Sequence, residues 1–305
     1  MLYDLVIIGS GPAGLTAAIY AQRAMLKTLV IEKQPLSGGQ ILNTYDVDNY
    51  PGLYGISGFE LGTKFREHAD KLGAEVVNTA IERVELGNAD KQIVTEAGTY
   101  EAKTVLIATG AKHRMLQVPG EKELTGMGVS YCATCDGAFF RGKEVAVVGG
   151  GDVALEDALF LARACKKVYL IHRRDELRGA KSLQEKVFAQ ENIEVIYDTV
   201  VEKINGSLNV ESISVYNRKK DERTELALQG VFIAVGILPE TELFAGQVGM
   251  TEDGYIRAGE DCVTDAEGVF AAGDVRTKQL RQIITAAADG ANAVTSIENY
   301  LRNHA

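Results

Sequence analysis

Positive charge is in short supply in this chain: 32 Lys and Arg stand against 42 Asp and Glu, a formal net charge of −10. Nucleic acid is excluded as a partner on that balance, because phosphate backbones are held by clustered cations that the chain lacks overall. Small molecules or proteins are expected instead. Long apolar runs are missing too. None approaches the ~18 residues that cross a bilayer, so no membrane span or membrane partner is expected. No basic segment precedes the first apolar stretch, so no signal peptide is expected and the predicted location is cytoplasmic.

Cysteine is scarce as well, with four in 305 residues, too few for a disulfide scaffold. In a reducing compartment a close pair is redox-active or metal-binding rather than structural. Cys132 and Cys135 make the one Cys-x-x-Cys. A zinc site normally needs four ligands, yet Cys165 and Cys262 are isolated, so no metal is expected and these two read as packing residues.

What the chain does have is length and apolar content, 46% hydrophobic residues, enough for two packed domains. It opens with an apolar strand at 5–8, then Gly9, Ser10, Gly11, Pro12, Ala13 and Gly14, then an Ala-rich helical stretch. In such a strand–turn–helix unit Gly9 permits the turn, Gly11 lets backbone approach a pyrophosphate, and Gly14 lets helix and strand pack closely. A second strand at 28–31 ends in Glu32, at the spacing where a carboxylate accepts hydrogen bonds from ribose hydroxyls.

The unit returns in mid-chain as a strand at 144–148, a turn of Gly149, Gly150 and Gly151, and a helix from Asp152 through Val153 and Ala154. After the next strand, at 168–171, the offset that lands on Glu32 in the first unit lands on His172, followed by Arg173, Arg174 and Arg178. Cations there suit a phosphate on the ribose and point to NADPH over NADH. One acidic and one basic nucleotide site pair naturally as FAD in the first and NADPH in the second.

Further apolar strands end in small residues at 105–110, 231–236 and 269–273, the last followed by Asp274, Arg281, Gln282 and an Ala-rich helix. Too little chain follows residue 269 for a domain of its own, so this segment is expected to fold back onto the N-terminal sheet. The fold class expected is α/β: two Rossmann-like three-layer dinucleotide-binding domains, the NADPH domain (117–244) inserted in a discontinuous FAD domain (1–116 and 245–305).

Taken in order, these segments resemble the low-molecular-weight, bacterial-type thioredoxin reductases of the pyridine nucleotide-disulfide oxidoreductase family. The resemblance rests on G-S-G-P-A-G at 9–14, G-G-Q ending in Gly39 and Gln40, D-N-Y-P-G from Asp48 through Asn49, and A-T-G at Ala108, Thr109 and Gly110. It continues through C-A-T-C-D-G at 132–137, G-G-G-D at 149–152, H-R-R-x-x-x-R at 172–178, and G-D-V with R-Q at 273–282. It implies a flavoenzyme in which Gly273, Asp274, Arg281 and Gln282 hold the flavin and Cys132 and Cys135 are the redox pair. Cys135 would face the flavin and Cys132 a thioredoxin or thioredoxin-like partner, with Asp136 protonating a leaving thiolate. A homodimer is implied too, as is rotation of the inserted domain to present disulfide and nicotinamide to the flavin in turn. The chain departs from the family pattern at Val153, where Ser or Thr is commoner, and at Ile237 and Glu240, where His and Asn are.

The pair itself sits at a turn into a helix, where it can close a small disulfide and where helix N-terminal dipoles favour a thiolate. A loop so short constrains the unfolded chain little, so stability is a poor reason for it. Asp136 remains open between proton donor and helix cap. Three rivals stay in view: a flavin-dependent disulfide oxidase, which needs no NADPH site; an NADP reductase of similar fold, which needs no cysteines; and a flavin-binding sensor, which needs neither. Reduction of another small redox protein is a fourth.

Overall fold

A computed structural model describes residues 1–44, 47 and 49–304; Asp48 of the D-N-Y-P-G segment lies outside them. The chain divides into two compact units, residues 1–112 with 238–305, and residues 113–237.

In the discontinuous unit the strand Leu2–Ile8 lies between Thr28–Glu32 and Gly98–Ile107, parallel to both, with Ile8 in register with Ile31 and Ile107. Glu75–Asn78 extends the sheet beyond Thr28–Glu32, also parallel. On the far side Gly98–Ile107 divides its free edge: its first half pairs antiparallel with Lys91–Thr95, its second half parallel with Val269–Ala271. The late segment thus folds back onto the N-terminal sheet as expected. Side chains alternate across a strand, so Leu5 and Ile7 pack beneath the helices Pro12–Arg23 and Ile283–Asn303, while Val6 and Ile8 join a second core with Ile31, Ile93, Phe244 and Ile256. Both faces being covered, residues 5–8 of the strand read as one unbroken apolar run. Pro12, at the first helical position, costs no hydrogen bond there.

The inserted unit is built around a parallel sheet in the order Ile193–Ile196, Lys167–Ile171, Glu144–Gly149, Gly230–Ala234, Val129–Ser130. One face packs against the helices Asp152–Ala162 and Lys181–Phe188 through Val145, Val147, Leu155, Leu161 and Val187. The other is covered by an antiparallel sheet of Thr199–Gly206, Val210–Asn217 and Glu222–Ala227, through Ile204, Ile213 and Val215. Cys165 and Cys262 are buried free thiols, each inside a core. Among the described residues no helix is long and apolar enough to cross a membrane.

Ligands of parallel sheets gather at the carboxyl ends of the strands. In the first unit those ends deliver Gly9, Glu32, Ala108 and Gly273; in the second they deliver Gly149, His172 and, two residues past Ser130, Cys132.

Candidate functional site

In the first unit, Gly9 leaves its strand at φ +104°, and a Cβ on Gly14 would lie 1.9 Å from the Gly9 carbonyl oxygen, a contact no side chain survives. A Cβ on Gly11 would meet nothing within 4 Å. Gly11 is also the N-cap of the helix, which no side chain caps. Orphan N–H groups of the first turn therefore face open space, the arrangement that receives a pyrophosphate. Ser10 and Ala13 are buried beside this turn, and Gly39 brings the 3-10 helix Gly39–Asn43, with Gln40 exposed on it, against the backbone of Gly11.

Glu32 ends its strand as expected, but its carboxylate already serves the protein. Oε2 accepts from the N–H and hydroxyl of Ser10 at 2.8 and 2.7 Å, and Oε1 from the N–H of Gln34 at 2.8 Å. Oε2 is filled by its two bonds, while Oε1 keeps a second acceptor position for a ribose hydroxyl. Thr109 donates its hydroxyl to the Glu240 carbonyl at 2.7 Å, and the Glu240 N–H donates to Gly110 at 3.0 Å. Asn49 donates to the Gln282 side chain at 3.0 Å, joining two predicted site residues far apart in sequence.

Asp274 follows Gly273 in a short 3-10 turn, and its Oδ1 is buried with no hydrogen-bond partner. Burial raises its carboxyl above the usual carboxylate range, against the lowering pull of Lys278 and Arg281. Arg281 stacks over the Tyr255 ring at 4.2 Å and leaves its buried Nε unpartnered. Buried polar atoms are nearly always satisfied, so an acceptor and a donor left bare on neighbouring predicted flavin residues fit a polar group the protein does not itself supply.

The second unit repeats the geometry with substitutions. A Cβ on Gly149 would lie 2.4 Å from the Ala234 carbonyl oxygen, one on Gly151 would meet nothing within 4 Å, and Ala154 is buried where Gly14 stands in the first unit. Asp152 accepts from the Ala180 N–H at 2.7 Å, and the Arg178 N–H donates to the Gly150 carbonyl at 2.6 Å, which ties the basic loop to the glycine turn. Arg173, Arg174, Arg178 and Val153 are exposed, and among the described residues none of the three arginines has an ion pair. His172 behaves differently from its neighbours. It is buried against Gly150, whose Cβ would fall 2.2 Å from Nδ1, and its Nε2 has no partner. Burial, reinforced by Arg174 and Arg173, lowers its pKa, so at neutral pH it contributes shape and a ring nitrogen rather than positive charge.

Cys132 and Cys135 are joined in a disulfide, with Cys132 as N-cap of the short helix Ala133–Asp136. Ser130 organises the segment: its hydroxyl donates to Asp136 Oδ2 at 2.6 Å, and its oxygen accepts from the Cys132 N–H at 3.0 Å. Asp136 makes no side-chain cap to either adjoining helical turn. Its Oδ1 is buried and bare, and burial raises its carboxyl above the usual range, partly offset by Ser130. That is the environment of a carboxyl able to hold and release a proton. Among the described residues no cluster of three His, Cys, Asp or Glu could hold a metal ion.

The family model described as pyridine nucleotide-disulphide oxidoreductase matches residues 3–290. The chain belongs to that family. Within it the chain is 47% identical to a thioredoxin reductase of Peptoclostridium acidaminophilum, covering 98% of this chain and 97% of that protein. It is 46% identical to a thioredoxin reductase of Bacillus subtilis (strain 168), covering 98% and 95%. The solved thioredoxin reductase from Streptococcus pyogenes MGAS5005 superposes with a TM-score of 0.93 at 46% identity, covering 99% of each chain. The resemblance carried by the motifs therefore holds over the full length. As a pyridine nucleotide-disulphide oxidoreductase the chain is an oxidoreductase that uses a flavin and a pyridine nucleotide.

Several residues that shape these sites escaped the motifs. Ser130 lies just outside the Cys-x-x-Cys. Asp289, with Arg276 and Lys278, forms a buried ion cluster behind Gly273. Its one sequence signal is an acid inside the A-A-A-D-G stretch of an otherwise apolar helix face.

Proposed function

We propose that the chain is a thioredoxin-disulfide reductase, which passes an electron pair from NADPH through FAD to the Cys132–Cys135 disulfide and on to a thioredoxin or thioredoxin-like protein. FAD belongs to residues 1–112 and 238–305, NADPH to residues 113–237. The observation that carries this reading is the Cys132–Cys135 disulfide at the carboxyl edge of the same sheet that holds the Gly149–Gly151 turn, in a chain alike along its full length to thioredoxin reductases. The bare atoms Asp274 Oδ1, Arg281 Nε and His172 Nε2 support the fit of the two cofactors.

The flavin that Gly273, Asp274, Arg281 and Gln282 would hold would supply two-electron chemistry, carrying an electron pair from the nicotinamide to the disulfide. That pair breaks the Cys132–Cys135 bond and leaves two sulfurs, one of which takes a proton. The Cys132 thiolate then attacks one sulfur of the partner disulfide, and a mixed disulfide forms as the partner's other thiolate leaves. Cys135 attacks Cys132 in turn, re-forming the intramolecular bond and releasing the second partner thiol. Asp136, beside this segment with a raised pKa, is placed to protonate a leaving thiolate. The net change is one NADPH and one proton consumed per disulfide reduced. Family likeness further supports a homodimer in the cytoplasm, the dimer being open to sedimentation analysis.

The experiment is anaerobic incubation of purified protein with NADPH and thioredoxin, counting free thiols. The expected yield is two thiols on thioredoxin per NADPH oxidised, and Cys135→Ser should trap thioredoxin on Cys132. A Cys132→Ser variant that reduces thioredoxin at the wild-type rate would refute the assignment.

A further inference from the structure

Asp289 is 4% exposed, on the helix Ile283–Asn303. Its neighbour Gly290 crosses the helix Pro12–Arg23 so closely that a Cβ would lie 2.3 Å from the Ala13 carbonyl oxygen, so the backbone that carries Asp289 is fixed against the first glycine turn's own helix. From that anchor Oδ2 accepts from the Gly273 N–H, Arg276 Nε and Lys278 Nζ, each at 2.9 Å, and Oδ1 from Arg276 Nη2 at 2.6 Å. Arg276 also donates through Nη1 to the carbonyls of Ala258 and Thr277, at 3.3 and 2.8 Å. The short turn Gly273–Val275 is therefore held at both ends by one carboxylate: at its first N–H directly, and through Arg276 immediately after it. Between those two anchors stands Asp274, whose bare Oδ1 is described above.

We propose that Asp289 is a positioning residue for the flavin, holding the Gly273–Val275 turn so that the Asp274 carboxylate is kept free and aimed at the flavin's hydroxyl-bearing chain. The proposal rests on the reading that Gly273 and Asp274 hold the flavin. Stability alone is a poor account of the cluster, because buried ion pairs are often replaceable by apolar residues of similar volume without loss. Apolar residues, however, cannot accept the Gly273 N–H. Lys278, held on Asp289, also works against the burial that raises the Asp274 carboxyl.

The test is the dissociation constant of FAD from the flavin-stripped full chain, read by quenching of flavin fluorescence, with far-UV circular dichroism recorded on each variant. Asp289→Asn keeps the volume and loses the charge. A triple variant, Arg276→Met with Lys278→Met and Asp289→Leu, removes every charge of the cluster and so leaves none unpaired. Asp274→Ala is run beside them. The expected result is a Kd raised by about tenfold or more in all three, the scale of one charged hydrogen bond, with unchanged circular dichroism. A wild-type Kd in Asp289→Asn and the triple variant, with Asp274→Ala weakened, overturns the role of Asp289 and leaves the flavin reading intact. A wild-type Kd in Asp274→Ala overturns the flavin reading itself, and the role of Asp289 with it.

Discussion

The hydroxyl of Ser130 donates to Asp136 Oδ2 at 2.6 Å, a bond made across the redox cysteines' own turn. It stabilises the carboxylate and so works against the burial that raises the Asp136 pKa. Removing it, in Ser130→Ala, is expected to raise that pKa further and to keep the acid protonated to higher pH. If Asp136 must be protonated to act, the alkaline limb of the pH profile for thioredoxin reduction moves upward in Ser130→Ala. Asp136→Asn should lower the rate by roughly 10²–10⁴-fold, the usual worth of a general acid. An unmoved limb in Ser130→Ala would remove Asp136 from the proton transfer.

Two glycines of the first turn should separate folding from cofactor binding. Gly14→Ala places a methyl group 1.9 Å from the Gly9 carbonyl, a backbone overlap that should cost at least ~3 kcal/mol and lower apoprotein stability and FAD content together. Gly11→Ala meets nothing within 4 Å and should leave the apoprotein's urea midpoint unchanged. Its methyl would stand where the pyrophosphate approaches, so FAD affinity should drop by roughly tenfold or more. Equal loss of stability in both variants would count against the separate roles.

How much of this was legible in the sequence follows from the range of the interactions. Strand–turn–helix units are local: Gly9, Gly11 and Gly14 act within a few residues, so spacing alone located them. The return of 269–271 to the N-terminal sheet was legible because apolar strands must be covered on both faces and little chain was left. The contacts of Glu32 with Ser10, of Asn49 with Gln282 and of Asp289 with Arg276 and Gly273 were not, since each depends on loops meeting in space. The basic character expected at His172 rests on its offset from the glycine turn, and burial, invisible to spacing, lowers that residue's pKa. The antiparallel sheet over the second unit was missed because its half-exposed strands lack continuous apolar runs.

Asp157 gives a pH test of the inserted unit. Burial, with Glu156 adding, pushes its carboxyl up to about 7. The native state therefore holds a proton that the unfolded chain gives up near the ordinary carboxylate value of 3.8. Stability from this group is complete below about 4 and is lost as pH rises toward 7. Asp157→Asn, uncharged throughout, should match the wild type at pH 4 and be more stable on the order of 4 kcal/mol at pH 8. Denaturant midpoints at the two pH values measure it, and a gain at acid pH instead would reverse the assignment.

Coenzyme choice should reside in Arg173, Arg174 and Arg178. All three are exposed and free of ion pairs among the described residues, so no protein carboxylate competes with a ribose phosphate for them. Arg178 is also tied by its N–H to Gly150, which fixes its backbone at the mouth of the turn. Each Arg→Ala change should lower kcat/KM for NADPH by roughly tenfold and leave that for NADH nearly unchanged, because the lost contact is charge on phosphate. Surface charge contacts are screened by salt, so the preference for NADPH should narrow as ionic strength rises toward 1 M, where the screening length falls to about 3 Å. His172 is held neutral, and the preference should therefore stay flat between pH 7 and 9. A wild-type enzyme with equal kcat/KM for the two coenzymes would show that these guanidinium groups face water alone.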